Sequence, residues 1–192
     1  MPNKIKYGLK NVYYAVATIA ANGSATYETP VALPGAVSIS LEPQGDTTPF
    51  YADNIEYWTG ISNTGYEGDL EVARLTDAFK TDILGYLESG NGLYVEDANA
   101  NPVHFALLFQ FEGDVKATRH VMYNCTATRA SASGNTKTET IEPQTETVSI
   151  TATSIYVAAL DTDIVKAETN ESTGDTVYSA FFTAVTLPTA KQ

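Results

Sequence analysis

The chain has 192 residues, of which 43% are hydrophobic, and a formal net charge of -12. This length predicts one domain, residues 1–192, with enough apolar residues to form a buried core. A strongly acidic surface repels phosphate and disfavours ordinary nucleic-acid binding, and no apolar run approaches the ~20 residues that span a membrane.

Cysteine usage and the first residues set the expected compartment. Cys125 is the only cysteine, so the chain cannot form an internal disulfide, and a zinc site would need other ligands. The first six residues lead into no signal-peptide apolar region. We therefore expect a protein that is made in the cytosol, with no membrane insertion.

The amino-terminal third predicts an arm followed by strands. Residues 1–11 contain three lysines and little periodicity, which indicates an extended arm. Strands are predicted over Val12–Ala17 and Thr26–Leu33. The segment Val37–Glu42 alternates apolar and polar residues, as a half-buried strand does.

A long connection interrupts this pattern over residues 43–65. It contains the aromatic or apolar residues Tyr51, Ile55, Tyr57 and Trp58, and the next strand is predicted over Tyr66–Leu75. Long loops in compact domains are usually functional or disordered, and aromatic residues argue against disorder. The segment is therefore predicted to contact a partner, although a loop folded over its own domain is about equally consistent with these residues.

One helix is predicted at about residues 76–89, with Thr76 as its N-cap. After it, Leu93–Glu96 and Val103–Phe111 are predicted to form a hairpin. Four more strands are expected at Arg119–Thr128, Glu146–Thr153, Ser154–Leu160 and Ile164–Glu168, with a polar loop over 129–141.

The last strand is predicted over Val177–Val185, followed by a tail over residues 187–192. Many short strands with one helix indicate a mainly β fold, a β-sandwich or barrel.

No catalytic or cofactor chemistry is apparent in the sequence. His120 and Cys125 are an odd number of residues apart, so they should point to opposite faces of one strand. Asp97, Asn99 and Asn101 resemble the start of a calcium loop, but Pro102 stands where such a loop needs glycine. We therefore predict no catalytic residue, no metal site, no cofactor and no enzymatic activity.

The polar faces of four strands carry the strongest functional signal. These four strands are Val37–Glu42, Tyr66–Leu75, Arg119–Thr128 and Glu146–Thr153. If they share a sheet, one face of that sheet is apolar. Its predicted core residues are Val37, Ile39, Leu41, Leu70, Val72, Val121, Tyr123, Cys125, Val148 and Ile150. The other face is small, hydroxylic or acidic and comprises Ser38, Ser40, Glu42, Asp69, Glu71, Asn124, Thr126, Ser149, Thr151 and Thr153. This face lacks the basic and aromatic residues of nucleic-acid readers, so a polyanion could pass it without adhering.

Several segments resemble a known family. They are YGLKNVYYA at 7–15, FALLF at 105–109, FEGD at 111–114, ATRH at 117–120, YNCTATR at 123–129 and IEPQTET at 141–147. Together they resemble the major tail proteins, or tail tube proteins, of long non-contractile-tailed bacteriophages. The resemblance covers nearly the whole chain.

The resemblance implies a structural subunit of the virion tail. Family members form hexameric rings that stack into a hollow tube, through which DNA enters the host. It implies assembly in the host cytoplasm, contacts with a tape measure protein and a tail terminator, and passage of DNA without specific binding. On this interpretation the polar face lines the lumen, while the long loop, with Tyr51, Ile55, Tyr57 and Trp58, and the terminal arms join subunits.

Two other functions stay open on the sequence alone. A carbohydrate-binding β-sandwich of a phage adhesion device would use Tyr51, Tyr57 and Trp58 as a sugar platform. A hydrolase on a β scaffold is disfavoured because the sequence contains no recognisable catalytic triad.

Overall fold

A computed structural model describes residues 3–136, 139 and 142–190. Strands β1 to β7 span Lys6–Ile19, Ala25–Tyr27, Val31–Ala32, Ala36–Gln44, Thr47–Ala52, Ile55–Ile61 and Gly65–Val72, and helix α1 spans Asp77–Asp82. Strands β8 to β15 span Tyr86–Glu88, Tyr94–Glu96, Phe105–Gly113, Thr118–Ala127, Glu146–Thr153, Ile155–Val157, Thr162–Ile164 and Lys166–Glu168, and helix α2 spans Asp175–Ala180. The predicted mainly β fold is confirmed.

One antiparallel sheet of nine strands dominates the molecule. Its path runs β2-β1-β10-β11-β12-β7-β4, with β3 added beside β1 and β15 beside β11. The four strands predicted to share a sheet are therefore consecutive neighbours, in the order β11, β12, β7 and β4. Because opposed residues of paired strands point to the same face, the face assignments of these strands can be tested together.

The main core lies on one face of this sheet, which curls around it. Val12 and Tyr14 from β1 belong to the same buried cluster as Leu70 and Val72 from β7, although three strands separate β1 from β7 in the sheet. Phe79 of α1 lies in this cluster and is completely buried. The helix thus closes an end of the curled sheet by inserting one aromatic ring.

A second, smaller core covers part of the opposite face. Leu108 and Val121 of the sheet pack there with Ile155 of β13 and Phe181, which follows α2. Tyr123 belongs to this second cluster as well, and its hydroxyl donates to the carbonyl of Thr186 at 2.9 Å. The second core does not extend over β12, β7 and β4, so the face of these strands that points away from the main core is open to solvent.

Three core predictions need correction. Val37 is 51% exposed, because the register between β4 and β7 shifts between Ala36 and Ser38. Val121 and Tyr123 are buried, but in the second core, because β11 carries an extra residue opposite the Phe105–Leu107 step of β10. Such a bulge reverses the alternation of faces along a strand. The remaining predicted core residues lie in or against the main core.

The predicted amino-terminal arm is mostly part of a strand. Lys6 pairs with Gly113 at the start of β1, so the strand begins six residues earlier than predicted. Gly8 and Asn11 have positive φ values of 59° and 52°, and the register with β10 shifts near both. These irregularities hide the period-two pattern from sequence analysis. Residues 1–2 of the predicted arm lie outside the described residues.

The predicted helix over 76–89 is too long. Thr76 does cap it, since its side chain accepts from the Phe79 N–H at 3.2 Å. The helix ends at Asp82, and Gly85 adopts a left-handed conformation with φ of 70°. The chain then forms β8, which pairs with β9, so the predicted pairing of Leu93–Glu96 with Val103–Phe111 is wrong.

The predicted last strand over Val177–Val185 is also wrong, because this region contains α2. Tyr178, Phe181 and Phe182 are spaced by three and four residues, which places them on one helical face. The guanidinium of Arg119 lies 3.8 Å from the Tyr178 ring centroid and 4.9 Å from that of Phe182. This tertiary contact favours the helical turn over the β propensity of the segment.

Smaller differences concern strand ends. The predicted strand Thr26–Leu33 is divided into β2 and β3 around Pro30, which has no N–H to donate. Residues 186–190 of the carboxy-terminal region form no helix or strand. Residues 191–192 of the predicted tail lie outside the described residues, and so do residues 137–138 and 140–141 of the predicted polar loop. Among the described residues, no helix has the length and apolar content to cross a membrane.

Candidate functional site

The polar face is assembled by the register of three neighbouring strands. Asp69 of β7 lies opposite Ser40 on one side and Ser149 on the other. Glu71 lies opposite Ser38 in the same way. The acidic residues therefore form a column on β7, with hydroxyl side chains from β4 and β12 on both sides.

Hydroxyl groups donate to both predicted acids of this column. Ser149 Oγ donates to Asp69 Oδ1 at 2.6 Å, and Ser38 Oγ donates to Glu71 Oε2 at 2.8 Å. Thr145 Oγ1 donates to Glu71 Oε1 at 2.6 Å. The hydrogen bond from Thr145, and after it the one from Ser38, lower the pKa of Glu71 below its ordinary value. The carboxylate therefore stays charged at neutral pH.

Glu67 also belongs to this face, although the sequence analysis did not include it. It lies opposite both Glu42 and Thr151 and is exposed. The signal was present, since Glu67, Asp69 and Glu71 occupy every second position of one strand. Thr126 lies opposite Thr151 and extends the face onto β11. The face positions of β4, β7, β12 and the end of β11 contain no lysine or arginine.

Asn124 differs from the other predicted residues of this face. It is only 7% exposed, and its Oδ1 lies 2.7 Å from His104 Nδ1. Its Nδ2 donates to Thr153 Oγ1 at 2.9 Å and to the Ser154 carbonyl at 3.3 Å. Asn124 therefore joins β11 to β12 and to the turn before β13, and it is not available to line an exposed surface.

The predicted long loop over 43–65 is a hairpin made of β5 and β6. These two strands pair with each other alone in the described chain. The hairpin exposes six large apolar side chains, between 58% and 82% each: Phe50, Tyr51, Ile55, Tyr57, Trp58 and Ile61. Such a concentration of exposed apolar side chains is typical of a surface that contacts a partner.

The histidines and the cysteine hold structural positions. His120 is stacked on Phe109, with ring centroids 5.1 Å apart, and its Nδ1 lies 3.3 Å from Glu168 Oε2. Cys125 is completely buried, and burial raises its pKa to about 12. A thiol that stays protonated at neutral pH is a poor nucleophile. Among the described residues, no group of three acidic, histidine or cysteine side chains is placed to hold a metal.

The chain matches a known protein family over nearly its whole length. A family model described as phage tail tube protein matches residues 2–187. The chain belongs to the phage tail tube protein family. The resemblance inferred from the sequence is thereby confirmed.

This membership gives the tail tube protein a structural role in the virion tail, and the family is not an enzyme family. No curated protein matches the chain. Within the described residues of the tail tube protein, the polar face and the β5–β6 hairpin are both open to solvent.

Proposed function

We propose that six copies of this tail tube protein close into a ring, and that rings stack into a hollow tube that conducts DNA into the host. The polar face of β4, β7 and β12 lines the lumen in this assembly. The observation that carries the proposal is the acidic column of Glu67, Asp69 and Glu71 on the open part of the sheet, which forms no ion pair within the described residues. Negative charge on a channel wall repels the phosphates of passing DNA and prevents adhesion.

The edge of the sheet supports closure between copies. Strand β4 ends the path of the main sheet, and beyond it no further strand is paired within the described residues. Exposed sheet edges readily pair with other chains, and a heterologous contact makes a closed ring when the rotation between copies closes. Pairing along β4 would join the inner sheets of adjacent subunits into a continuous barrel that has no free edge.

The β5–β6 hairpin supplies a contact between copies. It projects from the ends of β4 and β7, where Thr64 N–H donates to the Gln44 carbonyl at 2.9 Å. Tyr57 is 70% exposed and Trp58 61%. Burying side chains of this kind against a neighbouring copy yields about 1.5–3 kcal/mol for each one that becomes fully buried. The hairpin can therefore stabilise an assembly without altering the core of the subunit.

The wider setting follows from the same proposal. The subunits assemble in the host cytoplasm around a tape measure protein, and a tail terminator ends the tube. DNA passes through the lumen without specific binding, and the subunit does not insert into a membrane. The finished protein resides in the virion tail.

Electron microscopy of the purified protein tests this proposal. We expect hollow tubes, or rings with sixfold symmetry, that grow with protein concentration. The exposed Tyr51, Tyr57 and Trp58 are also compatible with the sugar platform of an adhesion protein. Monomers that bind glycans and form neither rings nor tubes at any concentration would support that function and contradict assembly.

A further inference from the structure

A cavity opens at the end of the curled sheet where β1 begins. Its volume is about 320 Å³, near the lower limit of small-ligand pockets at about 300 Å³. The walls include the apolar residues Leu41, Phe109 and Phe111, and His120 lies among them. A cavity of this size and composition can accept one or two apolar side chains from another molecule.

Two lysines give the cavity a positive rim. Lys6 Nζ lies 4.8 Å from the centroid of the Phe111 ring, and Lys166 Nζ lies 4.9 Å from that of Tyr66. Neither ammonium group lies within 4.0 Å of a carboxylate among the described residues, whereas Lys10 and Arg129 are both ion-paired. In a chain with a net charge of -12, this rim is positioned to attract an acidic partner.

His120 leaves one hydrogen-bonding group of the wall unsatisfied. Its Nδ1 faces Glu168 Oε2, which favours a proton on Nδ1 and leaves Nε2 as an acceptor. Nε2 is buried and has no hydrogen-bond partner in the described part of the chain. Buried polar atoms are normally paired. Solvent does not reach Nε2, so the atom is closed to an incoming side chain as well, and a partner can contact only the apolar lining and the charged rim of the cavity.

The matching surface lies at the opposite end of the subunit. Strand β7 leads away from the cavity, from Tyr66 to Val72, a distance of about 20 Å at about 3.3 Å per residue. The chain then forms α1 and the β8–β9 hairpin. Leu87, Leu93 and Tyr94 of this hairpin are 58%, 60% and 42% exposed.

The β8–β9 hairpin also carries the complementary charge. Glu88 pairs with Tyr94 across the two strands, and both residues are exposed. Glu88 and, more weakly, Asp77 raise the pKa of Tyr94, which indicates that both acids are near its hydroxyl. An acidic, apolar tip thus stands at one end of the subunit, and a basic, apolar cavity stands at the other.

We propose that the tip of the β8–β9 hairpin of one copy binds in the cavity of a second copy, with Tyr94 entering between Lys6 and Lys166. This contact rests on the proposed function, and it defines how successive rings meet. Two different, complementary ends produce a head-to-tail contact that repeats without limit. The β8–β9 contact therefore sets the polarity of the tube.

Disulfide trapping tests the contact. We would combine Lys166→Cys at the rim with Leu93→Cys at the hairpin and oxidise the assembled tubes. The expected result is a ladder of covalent oligomers that a reducing agent collapses to monomers. The native Cys125 does not interfere, because its thiol is completely buried. The matched control pairs Lys166→Cys with Val177→Cys, which is 42% exposed on α2 and should give no ladder.

The outcomes separate the two proposals. If the wild-type protein forms no rings or tubes, the proposed function fails, and the contact fails with it. If tubes form but the Lys166→Cys and Leu93→Cys pair gives no more oligomers than the control, the tube stands and the contact is wrong.

A charge exchange gives a second test that does not depend on cysteine chemistry. Lys166→Glu should raise the concentration needed for assembly by roughly tenfold, because it places like charges together. Adding Glu88→Lys should restore assembly, although Glu88→Lys alone should weaken it. Circular dichroism of each variant at low concentration verifies that the fold is retained. Restoration is the deciding result, and a double variant that assembles no better than Lys166→Glu alone would overturn the contact.

Discussion

Ser149 and Asp69 face each other across β12 and β7, and the Ser149 hydroxyl donates to the Asp69 carboxylate at 2.6 Å. Glu71, two residues further along β7, accepts from Ser38 and Thr145. Both acids are thus satisfied by neutral hydroxyl groups, and neither is ion-paired in the described residues. Their negative charge therefore remains available to act on a passing polyanion.

The acidic column gives the first prediction. Replacing Asp69 and Glu71 together with lysine should leave tubes intact, because both side chains lie outside the core. DNA ejection should become slower, since lysines on the wall would hold phosphates that the native wall repels. Ejection can be followed by the fluorescence of a dye that binds the released DNA.

Two controls separate charge from structure in this test. Glu71→Gln removes the charge and keeps the shape of the side chain, with an acceptor oxygen for one of the two hydroxyl groups and an amide NH2 that can donate to the other. It should slow ejection less than the lysine variant. Glu171→Lys adds a lysine in an exposed turn of another region and should have no effect. Unchanged ejection by the double lysine variant would contradict the lumen assignment.

The β5–β6 hairpin gives the second prediction. Deleting Asp46 to Asn63 should leave a folded monomer, because the Thr64 N–H already reaches the Gln44 carbonyl at 2.9 Å and a short connection can replace the hairpin. The variant should not form tubes, since it has lost the six exposed apolar side chains. Thermal melting tests the fold and electron microscopy tests assembly. Normal tubes from the deletion variant would refute an assembly role for the hairpin.

Helix α1 gives a prediction about stability. Phe79 is fully buried and makes edge-to-face contacts with Tyr14 and Phe105, with ring centroids 5.1 Å and 6.0 Å apart. Phe79→Ala should lower the free energy of unfolding by about 3–5 kcal/mol, the usual cost of such a truncation in a core. Urea denaturation measures the change. Ala78→Ser, at an exposed neighbouring position, should change it by less than about 0.5 kcal/mol.

A buried thiol and two tyrosine hydroxyls give a prediction about stability at alkaline pH. Burial raises the pKa of Cys125 and of Tyr123 to about 12, and burial, followed by a hydrogen bond to Asp82, raises that of Tyr14. The contribution of these neutral groups to the free energy of unfolding is complete while the pH lies below their pKa values in the unfolded chain, which are 9.0 for the cysteine and 10.0 for a tyrosine. That stability is lost as the pH rises through the folded values, because the unfolded chain releases protons first.

Urea denaturation between pH about 8 and about 11 measures this loss, and a constant free energy of unfolding over that range would refute it. As an independent check, Cys125 should react with iodoacetamide only after unfolding.

The candidate site was largely predictable because it depends on local alternation. Side chains of a strand alternate with a fixed period of two, so Ser38, Ser40, Asp69, Glu71, Ser149 and Thr151 had to fall on the faces opposite their apolar neighbours. The same reasoning failed for Asn124. A bulge in β11 changes the local geometry there, and tertiary hydrogen bonds to His104 and Thr153 bury its amide.

The sequence by itself determined the mainly β class and the alternation that gives each of four strands an apolar side and an acidic or hydroxylic side, because pleat geometry and composition are local properties. That these strands are neighbours in one sheet was a supposition, which the long-range pairing of β12 with β7 bears out. Only the tertiary structure decided that β1 starts at Lys6, that β8 pairs with β9, and that residues after Gly174 form α2. The start of β1 and the formation of α2 depend on contacts between residues distant in the chain, such as Lys6 with Gly113 and Arg119 with Tyr178. Long-range contacts of this kind outweigh local propensity, which differs by about 1 kcal/mol or less between ordinary residues.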